Sequence, residues 1–200
     1  MHFPAIQELR RHQASALLAF YRRLPPWVVH WFEPFPGDTA AKITAHLAAV
    51  ESGTAISFGL LTAEERIAGH GFVLALDAAG PVFGIGLAPD RIGCGWGRKL
   101  MNAVIEEADR RGVPRLVLSV FRTNSRARSL YESFGFVSTG KCQCRQPDDS
   151  IAMERLRHAA APMPRRSAAS RRVLCPFPRR EGRGKGDISS RAPRERPRGC

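Results

Sequence analysis

Two stretches of the chain combine residue types and spacing that could do chemistry: Gly93-Cys94-Gly95-Trp96-Gly97 and Asn124-Ser125-Arg126-Ala127-Arg128-Ser129-Leu130-Tyr131-Glu132-Ser133-Phe134-Gly135-Phe136. The first sets three glycines between an apolar run and a helical pattern. Glycine lets a backbone take φ > 0 and approach a ligand closely, and amides at a helix start favour anionic oxygens. A pyrophosphate is the natural occupant of such a turn. The second stretch has the form N-x-x-A-x-x-L-Y-x-x-x-G-F and follows about thirty residues later. It joins an amide suited to cap a helix with an apolar stripe that carries a tyrosine hydroxyl.

The surrounding residues show what must position them. Thr54–Leu61, Arg66–Leu76 and Pro81–Leu87 are strand candidates, separated by Thr62-Ala63-Glu64-Glu65 and Asp77-Ala78-Ala79-Gly80. Connections this short join antiparallel neighbours. The third strand runs into the glycine turn, and past Gly97 the apolar period changes from about 2 to about 3.6. Leu100, Met101, Val104, Ile105 and Ala108 form one stripe, Arg110-Arg111 occupy the last turn, and Gly112 and Pro114 end the helix. Leu116–Phe121 is nearly all apolar, the pattern of a strand buried on both faces. Ala127, Leu130, Tyr131 and Phe134 make a second stripe closed by Gly135. Phe136–Arg145 and Ser150–Leu156 then read as final strands joined by Gln146-Pro147-Asp148-Asp149. Upstream, Ala5–Leu24 reads as a helix that stops before Pro25-Pro26, and Trp27–Phe35 is apolar and aromatic. Asp38 caps a second helix carrying Ile43, Leu47 and Val50 and ending at Gly53. The predicted order is two helices, three strands, helix, strand, helix and two strands.

Three phosphate-binding turns compete for the glycine-rich segment. A Walker A loop needs G-x-x-x-x-G-K-[S/T], and no such string occurs. A Rossmann turn wants G-x-G-x-x-G and an acidic residue about twenty positions on for the ribose, and Val113–Phe121 offers none. The pattern [Q/R]-x-x-G-x-[G/A] fits at Ile92–Gly97 with both glycines in place. It departs at the first position, where Ile92 replaces the polar residue and Arg91 stands one earlier. With Asn124–Phe136 behind it, this segment resembles the acyl-CoA site of the GNAT family of N-acetyltransferases. The resemblance covers residues 53–156 well and the first fifty residues loosely.

That resemblance implies an α+β fold: a mixed, mostly antiparallel central sheet with flanking helices and a splayed parallel strand pair. The pair would be Pro81–Leu87 and Arg115–Phe121, with pantetheine lying between them. It implies acetyl-CoA as cosubstrate with no metal, and transfer of acetyl to a primary amine by direct attack. Leu87, Ile92, Gly93, Cys94, Gly95, Trp96, Gly97, Arg98 and Asn124 are the implied cofactor contacts, with amides near Leu87 polarising the thioester carbonyl. Asn124 is equally suited to cap the helix that follows. Tyr131 maps to the general acid, while its own stripe would also suit a core tyrosine. The residues do not single out a base, because Pro81–Leu87 holds no carboxylate. His70, between Gly69 and Gly71, is the candidate that could reach the cleft. Glu33 and His46 lie in the region of the acceptor wall, and a water chain is a further alternative. Cys94 has no activating base nearby that would make it a nucleophile. Arg126 and Arg128 would suit phosphate contacts or, the favoured reading, a solvated helix face; Trp27, Trp31, Phe32 and Phe35 are apolar material for an acceptor lid, with a core role for half of them the favoured reading. The acceptor class stays open between a small molecule and a protein amine.

Composition bounds the remaining classes. The formal net charge is +13, but residues 157–200 hold 12 Arg and one Lys against three acidic residues, a net +10. The other 156 residues carry 18 basic and 15 acidic groups. Residues 1–156 are therefore expected to form the acetyltransferase domain. Residues 157–200, with six prolines and four glycines, read as a basic Arg/Pro-rich disordered tail, too poor in apolar residues to fold. Such a tail would touch nucleic acid weakly and nonspecifically. No run reaches the roughly 18 apolar residues of a membrane span, and the N-terminus lacks the pattern of a secretory signal. Five irregularly spaced cysteines suit a reducing cytoplasm, and Cys142-x-Cys144 is too close for a metal pair. A nonenzymatic acyl-CoA-binding module and a tail-driven nucleic-acid binder are the alternative classes. Oligomeric state is not legible.

Overall fold

Ala5–Glu8 is a strand, not the start of a helix. Its register places Ala5 opposite Leu61 and Glu8 opposite Phe58, and the Leu9 N–H donates to the Ser57 carbonyl at 2.8 Å. Pairing along a sheet edge satisfies backbone groups that a short helical segment would satisfy no better, and it drops Leu9 into the core, fully buried. The expected helix over 5–24 is thereby shortened to Ala14–Arg22. In this computed structural model, which describes residues 4–140 and 149–157, the elements run β1 (Ala5–Glu8), α1 (Ala14–Arg22), α2 (Pro26–Trp31), α3 (Thr39–Glu51), β2 (Ile56–Leu61), β3 (Ile67–Leu74) and β4 (Val82–Leu87). They continue with α4 (Trp96–Arg110), β5 (Arg115–Phe121), α5 (Ser125–Glu132), β6 (Val137–Ser138) and β7 (Ser150–Leu156).

The strands form one sheet in the order β1-β2-β3-β4-β5-β7-β6. Every neighbouring pair is antiparallel except β4 and β5. This is the mixed, mostly antiparallel sheet expected. Strand alternation sends neighbouring β3 residues to opposite faces. A Cβ on Gly71 would lie 2.9 Å from Val104 of α4, while His70 bonds to Tyr21 of α1. Helices therefore cover both faces. On one, Leu17, Phe20, Ile43 and Leu47 pack with Ile67. On the other, the α4 stripe of Met101, Val104, Ile105 and Ala108 packs with Val73, Phe83, Leu116 and Phe136.

Local signals set the helix ends. The Asp38 carboxylate accepts from the Ala41 N–H at 3.0 Å, capping α3 as expected. Pro26 opens α2, where its missing N–H costs nothing. Gly112 and Gly135, at φ +77° and +84°, give α4 and α5 their left-handed exits. Arg155 of β7 reaches Asp109 of α4 with two 2.8 Å bonds, fastening sheet to helix. Strand β5 departs from expectation: its residues alternate between buried and half-buried. Leu116, Leu118 and Val120 are buried in the core, whereas Val117 and Ser119 are half-buried, and Val117 to Val120 all border a cleft. The second half of the strand expected over 136–145, with Cys142 and Cys144, lies outside the described residues, as does the tail beyond Arg157.

Candidate active site

Strands β4 and β5 share one register pair, Val82 with Val117, beside which the Val117 N–H donates to the Pro81 carbonyl at 2.9 Å. Further along, no other strand of the described residues pairs with the facing edges of β4 and β5. A cleft of about 970 Å³ opens there, lined by Gly84, Gly86, Leu87, Ser119, Asn124 and Tyr131 among others. Two glycines let aromatic rings lie directly on β4. A Cβ at Gly84 would come within 2.3 Å of the Phe72 ring, and one at Gly86 within 2.2 Å of the Phe32 ring.

Beyond Leu87 the chain makes a short turn at Pro89–Arg91 and enters the glycine segment. Gly93 and Gly95 stand at φ +91° and +80°, which side-chain-bearing residues rarely adopt. Gly95 is the N-cap of α4, and no side chain among the described residues caps that end. The amides of Trp96, Gly97 and Arg98 lie in the first turn, where a helix supplies no carbonyl partner. Arg98 sits over the Phe134 ring at 5.4 Å and Lys99 over Trp96 at 4.4 Å. Arg126 is exposed, as expected, and its guanidinium also lies on the turn: a Cβ at Gly93 would meet Nη2 at 2.8 Å. Convergent amides at an uncapped helix start, with cations beside them, fit a diphosphate in donor number and in charge.

Leu87, Ile92 and Asn124 line the cleft, and Gly93, Cys94, Gly95, Trp96, Gly97 and Arg98 continue from Ile92 as the turn and first helical residues. Asn124 also caps α5, its Oδ1 accepting from the Ala127 N–H at 3.1 Å. Tyr131 lines the cleft on the α5 side. It is 8% exposed and sits against Phe83 edge-on, with ring centres 6.2 Å apart. Burial pushes its phenol up to about 12, so the hydroxyl keeps its proton at neutral pH.

His70 stands elsewhere. Its side chain is fully buried on the α1 face of β3, with Nδ1 2.6 Å from the Tyr21 hydroxyl and Nε2 2.8 Å from the Ser57 hydroxyl. A neutral imidazole satisfies both contacts in either tautomer. Burial, and then the neighbouring His46, hold it well below the ordinary histidine range. His70 does not border the cleft, so the geometry gives it a core role and no path to a substrate proton. Its flanking glycines answer to packing: a Cβ on Gly69 would lie 2.5 Å from Leu87 and one on Gly71 2.9 Å from Val104. His46 lies behind Phe35 and Phe72, 5% exposed.

Helix α2 crosses the open end of the cleft. Phe32, just past its end, rests on Gly86 of β4, while His30 stacks on Phe121 of β5 at 5.0 Å and Trp31 meets the same ring edge-on at 5.1 Å. Trp27 and Trp31 line the mouth and are 54% and 37% exposed. Among the described residues no helix is long and apolar enough to cross a membrane.

Known proteins share this architecture. Over half its length or more, the ribosomal-protein-S5-alanine acetyltransferase of Vibrio fischeri superposes with a TM-score of 0.68 at 16% identity, over 81% of this chain and 97% of that one. The PaiA N-acetyltransferase of Thermoplasma acidophilum, solved with coenzyme A, gives 0.63 at 16% identity, over 78% and 100%. In sequence, the ribosomal protein bS18-alanine N-acetyltransferase of Salmonella typhimurium is 38% identical over 76 residues, which cover 38% of this chain and 51% of that protein. Its counterpart in Escherichia coli K12 is 43% identical over 63 residues, covering 32% and 42%. The chain thus spans about half the length, or less, of the two bS18-alanine N-acetyltransferases that it matches in sequence. The model of the acetyltransferase (GNAT) family matches residues 6–136. The chain belongs to that family.

Proposed function

We propose that the protein is an N-acetyltransferase that moves an acetyl group from acetyl-CoA to a primary amine by direct attack inside the cleft. The observation carrying this reading is the single β4–β5 rung at Val82 and Val117. It opens a cleft that runs from the glycine turn to a buried, protonated tyrosine. The relatives support an amine acceptor, since their names specify an alanine of a ribosomal protein.

Acetyl-CoA supplies a thioester whose carbonyl carbon accepts a nitrogen nucleophile. The amides of Trp96, Gly97 and Arg98, with the Arg126 guanidinium, hold the diphosphate. Unpaired amides along β4 up to Leu87 orient the pantetheine arm and polarise the carbonyl, and fixed donors of this kind supply the larger share of acyl-transfer catalysis. Asn124 fixes the start of α5 and so the position of Tyr131. The Tyr131 hydroxyl donates its proton to the departing sulfur and takes one back from the acylated nitrogen. The first ammonium proton leaves to water at the open mouth.

Acetyl-CoA should raise the melting temperature, with about 2.7 kcal/mol of added stability at a hundredfold excess over Kd. A Gly95→Val variant should lose that shift, because a β-branched residue at φ +80° disrupts the turn. Amines spanning alanine-initiated peptides, polyamines and aminosugars should then be screened for thiol release. An undiminished shift in Gly95→Val would refute the turn as the diphosphate site. Stabilisation with no thiol release from any amine would leave an acyl-CoA-binding module.

A further inference from the structure

The cleft and its rim carry charges of both signs. At the glycine turn stand Arg98, Lys99 and Arg126, all exposed. The rest of the charged lining is Arg115, Glu154 and Glu33. Arg115 and Glu154 neutralise one another in a 2.8 Å ion pair. Glu33 forms no ion pair or hydrogen bond among the described residues and is exposed. Its carboxylate is therefore the one uncompensated negative charge among the described residues that line the cleft.

Its position is fixed by its neighbour. The Phe32 ring is seated on Gly86, which anchors the residue immediately after it at the β4 wall. Glu33 borders both the main cleft and an adjoining pocket of about 370 Å³, and Arg22 and Asp38 line only the latter. Trp27 and Trp31 offer exposed ring faces at the same mouth. A carboxylate beside aromatic faces attracts an ammonium group through charge and ring quadrupole together, and gives an apolar stem a surface to lie on.

We propose that Glu33 is the residue that docks the acceptor's ammonium group, so that the cleft selects cationic acceptors. This rests on acetyl transfer taking place in the cleft. Glu33 binds and orients; the proton transfers stay with water and Tyr131.

The test compares wild type with Glu33→Gln and Glu33→Lys, using whichever amine the screen finds to be turned over. KM for that amine should rise roughly tenfold in Glu33→Gln and further in Glu33→Lys, since a charge contact worth about a factor of ten is lost and then reversed. The kcat should stay within about threefold and KM for acetyl-CoA should not move. Raising salt from about 0.05 to 0.5 M should increase the wild-type amine KM more than the Glu33→Gln one. Unchanged melting temperatures and acetyl-CoA shifts confirm that the fold is intact. An amine KM equal to wild type in both variants overturns the proposal, as does a loss confined to kcat, which would place Glu33 in the chemistry. A wild-type protein that acetylates no amine overturns the proposed function, and this assignment with it.

Discussion

Tyr131 keeps its proton because the fold removes water from it. With burial holding the phenol near 12, the acid form persists across the working range, and any alkaline fall in rate below about pH 11 belongs to another group. Tyr131→Phe keeps the ring between Phe83 and Phe136 and should fold and bind acetyl-CoA normally. Its turnover should drop by on the order of 10² to 10⁴, and undiminished turnover with a proven acceptor would reduce Tyr131 to a core residue. At this scale the sequence was informative where residues sit on one helix. Asn124 and Tyr131 are seven positions apart, so helical periodicity alone brings cap and hydroxyl to the same side. It misled at His70, because flanking glycines tell nothing of which face a strand residue takes. It left two roles open for Arg126, because its neighbour Gly93 is 33 residues away and is reached only through the tertiary fold.

Between α1, α3 and β3 lies a pair of buried histidines, ring centres 5.6 Å apart. Neither ring nitrogen of His46 has a hydrogen-bond partner among the described residues, and burial lowers its pKa to about 4. His70 is lowered too. A histidine whose folded pKa lies below its unfolded value makes the unfolded chain the better proton binder. Stability should therefore be constant above about pH 6.5 and fall as pH drops from there towards 4, by about 3 kcal/mol for His46 alone. Chemical denaturation at pH 7.5 and 4.5 measures this, and His46→Phe should lose part of the difference; equal stability at both pH values in wild type would disprove it. Among the elements, those with strong local periodicity were legible. The α4 stripe is buried at each of its five predicted positions, and the Asp38 cap is where it was expected. The first strand was not legible, because Ala5–Glu8 becomes a strand only through its pairing with Leu61–Phe58. Nor was the open face of β5, whose apolar run is the same whether a strand meets a helix or a cleft.

For the whole molecule, most of the net charge lies past the last described strand. Residues 157–200 carry a net +10 with few apolar side chains, while the family match ends at residue 136 and the last described strand at Leu156. Removing everything after His158 should leave the melting temperature within a few degrees and the acetyl-CoA shift unchanged. It should also abolish weak binding to nucleic acid at low salt. Loss of folding on truncation would make the tail a structural part of the protein.

The single rung between β4 and β5 has a cost that is not catalytic. Past Val82 and Val117 both strands present open edges, although they sit in the middle of the sheet and not at its margins. Open edges are templates for pairing with other chains, and natural sheets shield them with bulk or charge. Here the shield on one side is α2, held by Phe32 on Gly86 and by His30 and Trp31 on Phe121. Solubility under thermal stress is thus coupled to occupancy of the cleft. Light scattering on heating should set in later with acetyl-CoA present, and earlier when Phe32→Ala loosens the strap.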